Sequence, residues 1–195
     1  MVGRVSAIVL IAGLAATLAV ALLRDNRSTE PTFTNVEAVT PDLTGADRRL
    51  VAIADEANEL LPGESDAFDA RLKQLKGLPV VANKWAHWCG PCKAEFPILQ
   101  QAAKELGGEV AFLGVNYNDS RDAATDFLKD YPVPYPSYFD PSLRIAQQFP
   151  PTAGAPVTNF YDTDGRLVYV EAGPFSSLAD FKEKLTRYTG FKPKE

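Results

Sequence analysis

The two cysteines of the chain, Cys89 and Cys92, form a Cys-Gly-Pro-Cys motif that is preceded by Trp88. Residues 78–82 upstream have the composition of a strand, and residues 93–106 downstream favour a helix. A cysteine pair between a strand and a helix N-terminus is suited to thiol–disulfide exchange. The unpaired N–H groups and partial positive charge of that terminus favour the thiolate of Cys89, which we predict to be the exposed nucleophile. Cys92, one turn into the helix, is close enough to form a disulfide with it.

Other uses of the cysteine pair fit the sequence less well. A zinc site normally has four ligands, whereas the chain offers two cysteines and a single histidine, His87. Covalent haem attachment requires a histidine directly after the second cysteine, and Lys93 stands there. A purely structural disulfide would close a very small loop and would gain little from chain entropy. We therefore predict a redox site with no metal and no cofactor.

Residues 80–97, which surround the cysteine motif, resemble the active-site segment of thioredoxin-fold proteins. They are most similar to the TlpA-like thiol–disulfide oxidoreductases, which include the ResA and CcmG types. Residues 154–162 resemble the segment that holds the cis-proline of that fold, here Pro156, and residues 164–169 resemble the hairpin after it. The resemblance covers residues 66–190.

The resemblance implies a thioredoxin-like α/β fold, with a mixed central sheet flanked by helices, and a protein-disulfide reductase activity. Cys89 is expected to attack a client disulfide, and Cys92 is expected to resolve the mixed disulfide by attacking Cys89. The Gly-Pro spacer is the pair found in reducing thioredoxins, so the reducing direction is favoured. The expected partners are disulfide-containing client proteins and a membrane electron donor, and cytochrome c maturation is one client pathway suggested by family analogy.

Glu95 lies three residues after Cys92 on the same helical face, and TlpA-like reductases often carry a glutamate at this position. We predict that it accepts or relays the proton of the resolving thiol. The alternative is a solvated glutamate that only interacts with the helix dipole. Asn83 occupies the strand position at which thioredoxins carry a buried aspartate, and its amide cannot exchange a proton in that way.

Substrate contacts are predicted for Trp88, Ala155 and Pro156. A cis bond before Pro156 would turn the backbone of Ala155 toward the sulfurs, where it could pair with an extended client segment. An ordinary turn proline is the alternative. Trp88 is expected to shield the sulfurs, whereas Trp85 is expected to pack in the core.

Two further residues near the motif have no settled role in the sequence. His87, two residues before Cys89, either tunes the thiolate electrostatically or simply faces solvent. Lys84 stands where relatives usually have an aromatic residue, and the sequence offers no account of the change.

Composition limits the classes of partner. The length of 195 residues suits one globular domain with additional segments, and the hydrophobic content of 46% is ordinary. The net charge of -5 argues against nucleic-acid binding, because that function requires a basic face.

The N-terminus has the pattern of a membrane segment. Residues 5–23 contain no charged side chain and are almost all apolar or small. A helix of this length, at ~1.5 Å per residue, nearly spans the ~30 Å hydrocarbon core of a bilayer. We predict a signal anchor over residues 1–24 that holds the protein in the cell membrane, with an extracytoplasmic catalytic domain as the resemblance implies. A cleaved signal peptide with a site at residues 19–21 is the alternative.

The rest of the chain is divided into a polar linker (25–43), an additional helical segment (44–65) and the thioredoxin-like domain (66–195). The helical pattern from Asp47 to Leu61 departs from the β-hairpin with which many TlpA-like proteins begin. Beyond it, strands and helices are predicted to alternate. The predicted strands are 78–85, 109–116, 135–139, 157–161 and 166–171, and the helices are 65–77, 89–106, 121–131, 141–149 and a last one ending at Gly190.

Two other functions stay open on the sequence alone. A peroxiredoxin-like peroxidase would have a threonine three residues before its cysteine, where Ala86 stands. A non-enzymatic copper-binding module normally has wider cysteine spacing and a distal histidine, but no histidine follows His87. The favoured prediction is a membrane-tethered enzyme that reduces disulfides in client proteins.

Overall fold

The computed structural model describes residues 32–150 and 154–193. The predicted membrane anchor over residues 5–23 therefore lies outside the described residues, as does the alternative cleavage site. Within the described ranges, no helix is both long enough and apolar enough to cross a bilayer.

The described residues form one six-stranded sheet, with strands β1 (Leu60–Pro62), β2 (Val80–Trp85), β3 (Ala111–Tyr117), β4 (Ser137–Asp140), β5 (Val157–Tyr161) and β6 (Leu167–Ala172). Their spatial order is β1-β4-β3-β2-β5-β6. Strands β1, β4, β3 and β2 are mutually parallel, whereas β5 is antiparallel to both β2 and β6. This topology confirms the predicted α/β fold with a mixed central sheet.

The helices of the described residues pack on both faces of this sheet. Phe181 stacks on Phe112 of β3 with ring centroids 6.0 Å apart, whereas Phe68 meets Tyr138 of β4 at 5.3 Å. Phe112 and Tyr138 lie on opposite faces, because Tyr138 is level with Val115 and side chains alternate along a strand. The helices are α1 (Val36–Val39), α2 (Arg48–Asp55), α3 (Ser65–Gln74), α4 (Gly90–Leu106), α5 (Arg121–Asp130) and α6 (Leu178–Thr189).

The three central strands of the sheet are fully buried. Every residue of β2, β3 and β5 is buried, which matches strands covered on both faces. Trp85 at the end of β2 is 1% exposed, stacks on Phe127 at 4.8 Å and donates from Nε1 to Ser137 Oγ at 3.1 Å. Its predicted place in the core is confirmed.

Serine side chains cap the N-termini of two helices in the second half of the chain. Ser120 Oγ accepts from the Ala123 N–H at the start of α5, and Ser177 Oγ accepts from the Asp180 N–H at the start of α6. Gly190 ends α6 in the left-handed region at a φ of 72°, where glycine carries no steric penalty. The predicted α5, β5–β6 hairpin and α6 are confirmed, with ends within a residue or two.

The predicted helix from Asp47 to Leu61 is wrong in its second half. Helix α2 ends at Asp55, and Leu60–Pro62 form strand β1 beside β4. Asn58 breaks the helix with a φ of 63°, while its side chain donates to Leu128 O at 3.0 Å and accepts from the Val133 N–H at 3.1 Å. These tertiary hydrogen bonds override a hydrophobic spacing that also suits a helix.

The predicted helix over 141–149 is also wrong, apart from one 3₁₀ turn at Ala146–Gln148. The buried Asp140 carboxylate accepts from the N–H groups of Arg144 (2.9 Å) and Ala146 (2.7 Å) and folds the chain around itself. Leu143 consequently lies in the left-handed region at a φ of 62°.

Part of the predicted linker is packed on the fold. Helix α1 lies within residues 25–43, begins at its cap Asn35, and places Val39 at 0% exposure. Phe33 exchanges two hydrogen bonds with the side chain of Gln100 on α4, at 3.1 and 3.2 Å.

Candidate active site

The cysteine pair lies at the carboxyl end of the central strand β2, where α4 begins. Cys89 is the N-cap of α4, and its Sγ accepts a hydrogen bond from the Cys92 N–H at 3.1 Å. The two cysteines form a disulfide with their Cα atoms 5.3 Å apart. The placement of the pair at a strand–helix junction agrees with the sequence.

Both sulfur-bearing residues are largely buried in the disulfide form. Cys89 is 3% exposed and Cys92 is 0% exposed, so the expectation of an exposed Cys89 is wrong for this state. Trp88 next to them is 49% exposed and is the large apolar side chain that meets solvent here. Its ring lies 5.7 Å from that of Tyr117, and its Nε1 donates to Asn118 O at 3.0 Å.

Glu95 lies inside the protein, three residues after Cys92 on α4. It is 0% exposed, which excludes the alternative of a solvated surface glutamate. Its Oε2 accepts from Asn83 Nδ2 at 2.9 Å, and its Oε1 accepts from the Phe175 N–H at 3.3 Å. The same Asn83 nitrogen donates to Thr158 Oγ1 at 2.9 Å.

The surroundings of Glu95 favour its protonated form. Burial raises the pKa of Glu95 from 4.5 to about 8, although the hydrogen bonds from Phe175 and Asn83 act in the opposite direction. The negative charge of Glu171 adds to the rise. A carboxyl group with a pKa of about 8 can hold or release a proton near neutral pH, as a proton relay requires.

The loop between β2 and α4 is tied to the loop after β3 through Asp119. The Asp119 carboxylate accepts from the His87 N–H (2.8 Å) and from Asn116 Nδ2 (2.9 Å), and it pairs with His87 Nδ1. Burial raises the pKa of Asp119, but the hydrogen bonds from His87, Asn116 and Ser120 outweigh it and hold the pKa below its usual value. The His87 side chain is 41% exposed, so it is both a partner of Asp119 and open to solvent.

The peptide bond between Ala155 and Pro156 is cis, as predicted. Pro156 is buried and Ala155 is partly exposed, directly before β5. Val157 pairs with Lys84 of β2, five residues before Cys89, so this segment adjoins the strand that leads into the cysteine motif.

The structure reveals two residues near the site that sequence reasoning missed or left without a role. Asp119 contacts His87 across 32 positions of sequence, which is beyond the reach of any local pattern. Lys84 is 5% exposed although it carries a charge. A charged residue within a run of strand-forming apolar residues was the available signal.

Comparisons with known proteins agree with this geometry. A family model described as Redoxin matches residues 33–185. The thiol:disulfide interchange protein DsbE of Vibrio cholerae is 33% identical over 179 residues, which cover 88% of this chain and 89% of that protein. The thiol–disulfide oxidoreductase ResA of Bacillus subtilis is 27% identical over 129 residues, 66% of this chain and 72% of that protein. The solved structure of MTB DsbF, in mixed oxidised and reduced forms, matches with a TM-score of 0.54 and 29% identity, covering 59% of this chain and 84% of that one.

Proposed function

Because the chain belongs to the Redoxin family and is a thiol–disulfide oxidoreductase of the TlpA-like type, we propose that it reduces disulfides in client proteins, with Cys89 attacking and Cys92 resolving. One observation carries the assignment: the Cys92 N–H donates to Cys89 Sγ at 3.1 Å in the first turn of α4. A thiolate in this place would keep that hydrogen bond and would be stabilised by the helix N-terminus. The Gly-Pro spacer supports the reducing direction through its resemblance to reducing thioredoxins.

In the reduced protein, the Cys89 thiolate attacks one sulfur of the client disulfide, and the client S–S bond breaks as the Cys89–client bond forms. The departing client thiolate takes up a proton. Cys92 then loses its proton and attacks Cys89 Sγ, which releases the second client sulfur and forms the Cys89–Cys92 disulfide. Two electrons pass to the client in each cycle. A membrane electron donor then supplies two electrons that reduce the Cys89–Cys92 disulfide again.

Glu95 serves as the proton acceptor for the Cys92 thiol. An ordinary cysteine thiol has a pKa of roughly 8.5, and burial raises the pKa of Glu95 to about 8. A carboxyl group that titrates in the range of thiols can both take up and give back a proton near neutral pH, which suits a relay that must work in both directions. Glu95 lies about one helical turn from Cys92 on α4.

The client contacts Trp88, Ala155 and Pro156. Trp88 offers an exposed aromatic surface directly beside Cys89. Ala155 precedes the cis bond and is partly exposed, so its backbone is available to an extended client segment.

Residues 5–23 tether the enzyme to the cell membrane and place the catalytic domain on the extracytoplasmic side. The uncharged, apolar character of that segment supports the tether. The family resemblance supports the outward side and suggests apocytochrome c among the clients. Membrane fractionation tests the tether: a mature soluble chain that begins near Leu22 would instead indicate a cleaved signal peptide.

A trapping experiment tests the assignment of the cysteines. The reduced Cys92→Ser protein should accumulate mixed disulfides with a disulfide-containing client, because attack by Cys89 survives and resolution does not. Reduced Cys89→Ser is the matched control and should trap no client. Trapping by Cys89→Ser alone, or failure of the reduced wild-type protein to reduce any protein disulfide, would contradict the proposal.

A further inference from the structure

A groove of about 390 Å³ opens beside the active site and has a buried lysine in its wall. Its lining includes Lys84, Tyr117, Leu143, Phe149 and Gly154. Lys84 is 5% exposed, and its Nζ lies 4.9 Å from the ring centroid of Tyr117 and 5.6 Å from that of Phe149. Within residues 32–150 and 154–193, no carboxylate lies within ion-pair distance of this ammonium group.

The aromatic rings compensate the buried charge only in part. A cation over an aromatic ring gains less free energy than the removal of an ammonium group from water costs. Burial accordingly lowers the pKa of Lys84. A buried ammonium group at the wall of an open groove, with no charged partner among the described residues, is a site that an anion could neutralise.

The groove adjoins the residues assigned to client binding. Tyr117 in its wall contacts Trp88, with ring centroids 5.7 Å apart. Gly154, also in its wall, lies two residues before Pro156. A client segment that lies across Trp88 and Ala155 would therefore pass the mouth of the groove.

The rim of the groove also has the character of a contact surface. Leu143 at the rim is 38% exposed and adopts a φ of 62°, which is unfavourable for leucine. Trp88, whose ring contacts Tyr117 of the groove, is also exposed, at 49%. Exposed apolar groups around a single buried charge favour an amphipathic segment of polypeptide over a free, fully hydrated ion.

We propose that this groove is a client subsite in which Lys84 binds the carboxylate of an aspartate or glutamate close in sequence to the client cysteine. The inference rests on the proposed function, since it names a feature of the disulfide-containing clients. The carboxylate would form an ion pair with Lys84 Nζ, and the methylene groups of the acidic side chain would pack on Tyr117 and Phe149.

Paired disulfide peptides test the subsite. One series carries aspartate or glutamate at successive positions on either side of the cysteine, and the matched series carries asparagine or glutamine. For the wild-type protein, kcat/KM should favour the acidic peptide by at least about tenfold at one or two positions, as expected for a charge-assisted hydrogen bond. In Lys84→Met, which keeps an unbranched side chain of similar length without the charge, the ratio should fall to about one.

Lys93→Met is the control for general electrostatic attraction, because Lys93 is exposed, follows Cys92 directly and lies outside the groove lining. It should retain the preference for the acidic peptide. Equal kcat/KM for both wild-type series would overturn the proposal, as would a preference that survives in Lys84→Met or disappears in Lys93→Met.

A binding measurement separates this proposal from the proposed function. Oxidised protein with ¹³C-labelled lysine is titrated with peptides whose cysteines are replaced by serine, and the Lys84 resonances are followed by NMR. If the acidic peptide shifts Lys84 but no peptide disulfide is reduced, the subsite stands and the reductase function fails. If both series are reduced but neither peptide shifts Lys84, the subsite fails alone. An equal shift with sodium acetate at the same concentration would identify a small anion as the ligand and overturn the client subsite.

Discussion

Asn83 Nδ2 lies 2.9 Å from Glu95 Oε2, so a central strand of the sheet holds the carboxyl group of the active-site helix. An amide both donates and accepts, so Asn83 can pair with Glu95 in either protonation state by turning its side chain over. The Oδ1 atom of Asn83 has no hydrogen-bond partner among the described residues, so it is free to accept a hydrogen bond from the protonated carboxyl group of Glu95. The buried titratable group beside this strand position is therefore a residue of the helix, Glu95.

Glu95→Gln is expected to remove a pH dependence of stability. Burial raises the pKa of Glu95 from 4.5 to about 8, so between these values the folded state keeps a proton that the unfolded state has lost. The free energy of unfolding therefore falls as pH rises through this window, by ~1.4 kcal/mol per pH unit and on the order of 3–5 kcal/mol in total. Denaturant unfolding at pH 5, 6.5 and 8 measures the slope. Glu59→Gln, at an exposed glutamate, is the control, and a slope shared by wild type and Glu95→Gln would show that Glu95 ionises normally.

The same Glu95→Gln variant should slow the resolution of mixed disulfides. Without the carboxyl group the Cys92 thiol loses its proton acceptor, and a decrease on the order of 10²-fold is expected for the loss of general base catalysis. Stopped-flow measurement of client release between pH 6 and 9 gives the pH–rate profile. Superimposable profiles for variant and wild type would remove Glu95 from the mechanism.

Cys89 should be alkylated before Cys92 when the reduced protein is treated with iodoacetamide at mildly acidic pH. The Cys92 N–H and the N-terminus of α4 favour the Cys89 thiolate, whereas Cys92 lies inside the helix at 0% exposure. Peptide mapping by mass spectrometry identifies the first modified site. Earlier modification of Cys92 would exchange the assigned roles of the two sulfurs.

Asp119→Asn should loosen the junction between the β2–α4 and β3–α5 loops. The change removes the charged partner of His87, and a loss of about 1–3 kcal/mol is expected. Since the pKa of Asp119 is held below its usual 3.8, this stabilisation is present above that pH and is lost as pH falls below it. The difference in thermal stability between the variant and the wild-type protein should therefore be full at pH 7 and smaller at pH 3. Asp130→Asn, at an exposed position on α5, should change neither value.

Leu50→Ala tests whether the segment before residue 66 is an integral part of the catalytic domain. Leu50 of α2 is 2% exposed, so truncation should destabilise the protein by ~2–5 kcal/mol. Leu167→Ala, at a leucine that is 44% exposed, should cost far less. Equal stability of the two variants, measured by urea unfolding, would mean that residues 44–65 fold as a separate unit.

The predictable parts of this protein depend on local sequence. The buried strands, the helix end at Gly190 and the strand–cysteine–helix junction are all encoded within a few neighbouring residues, and all were predicted. The prediction of a helix up to Leu61 was wrong, because apolar residues spaced for a helix face also suit the short strand β1. Asn58 ends the helix instead, because its side chain forms hydrogen bonds with residues 70 and 75 positions further along the chain.

The same limit applies to the site. The cysteines and Pro156 were recognised from motifs, and Glu95 from its helical spacing, but its burial depends on packing against Asn83 and Phe175. Lys84 could be noticed but not interpreted, since the rings beneath its ammonium group come from β3 and from the segment after β4.

The short strand β1 makes one edge of the sheet a poor binding site for extended client chains. A reductase releases chains that have just lost a covalent cross-link, and such chains add readily to an open sheet edge. Here that edge is only three residues long and ends at Pro62, which has no N–H to offer, while the carbonyl of Leu60 accepts from Arg121 Nη1 at 2.9 Å. An incoming strand therefore finds few hydrogen-bonding groups along β1, so strand addition at this edge of the sheet is opposed.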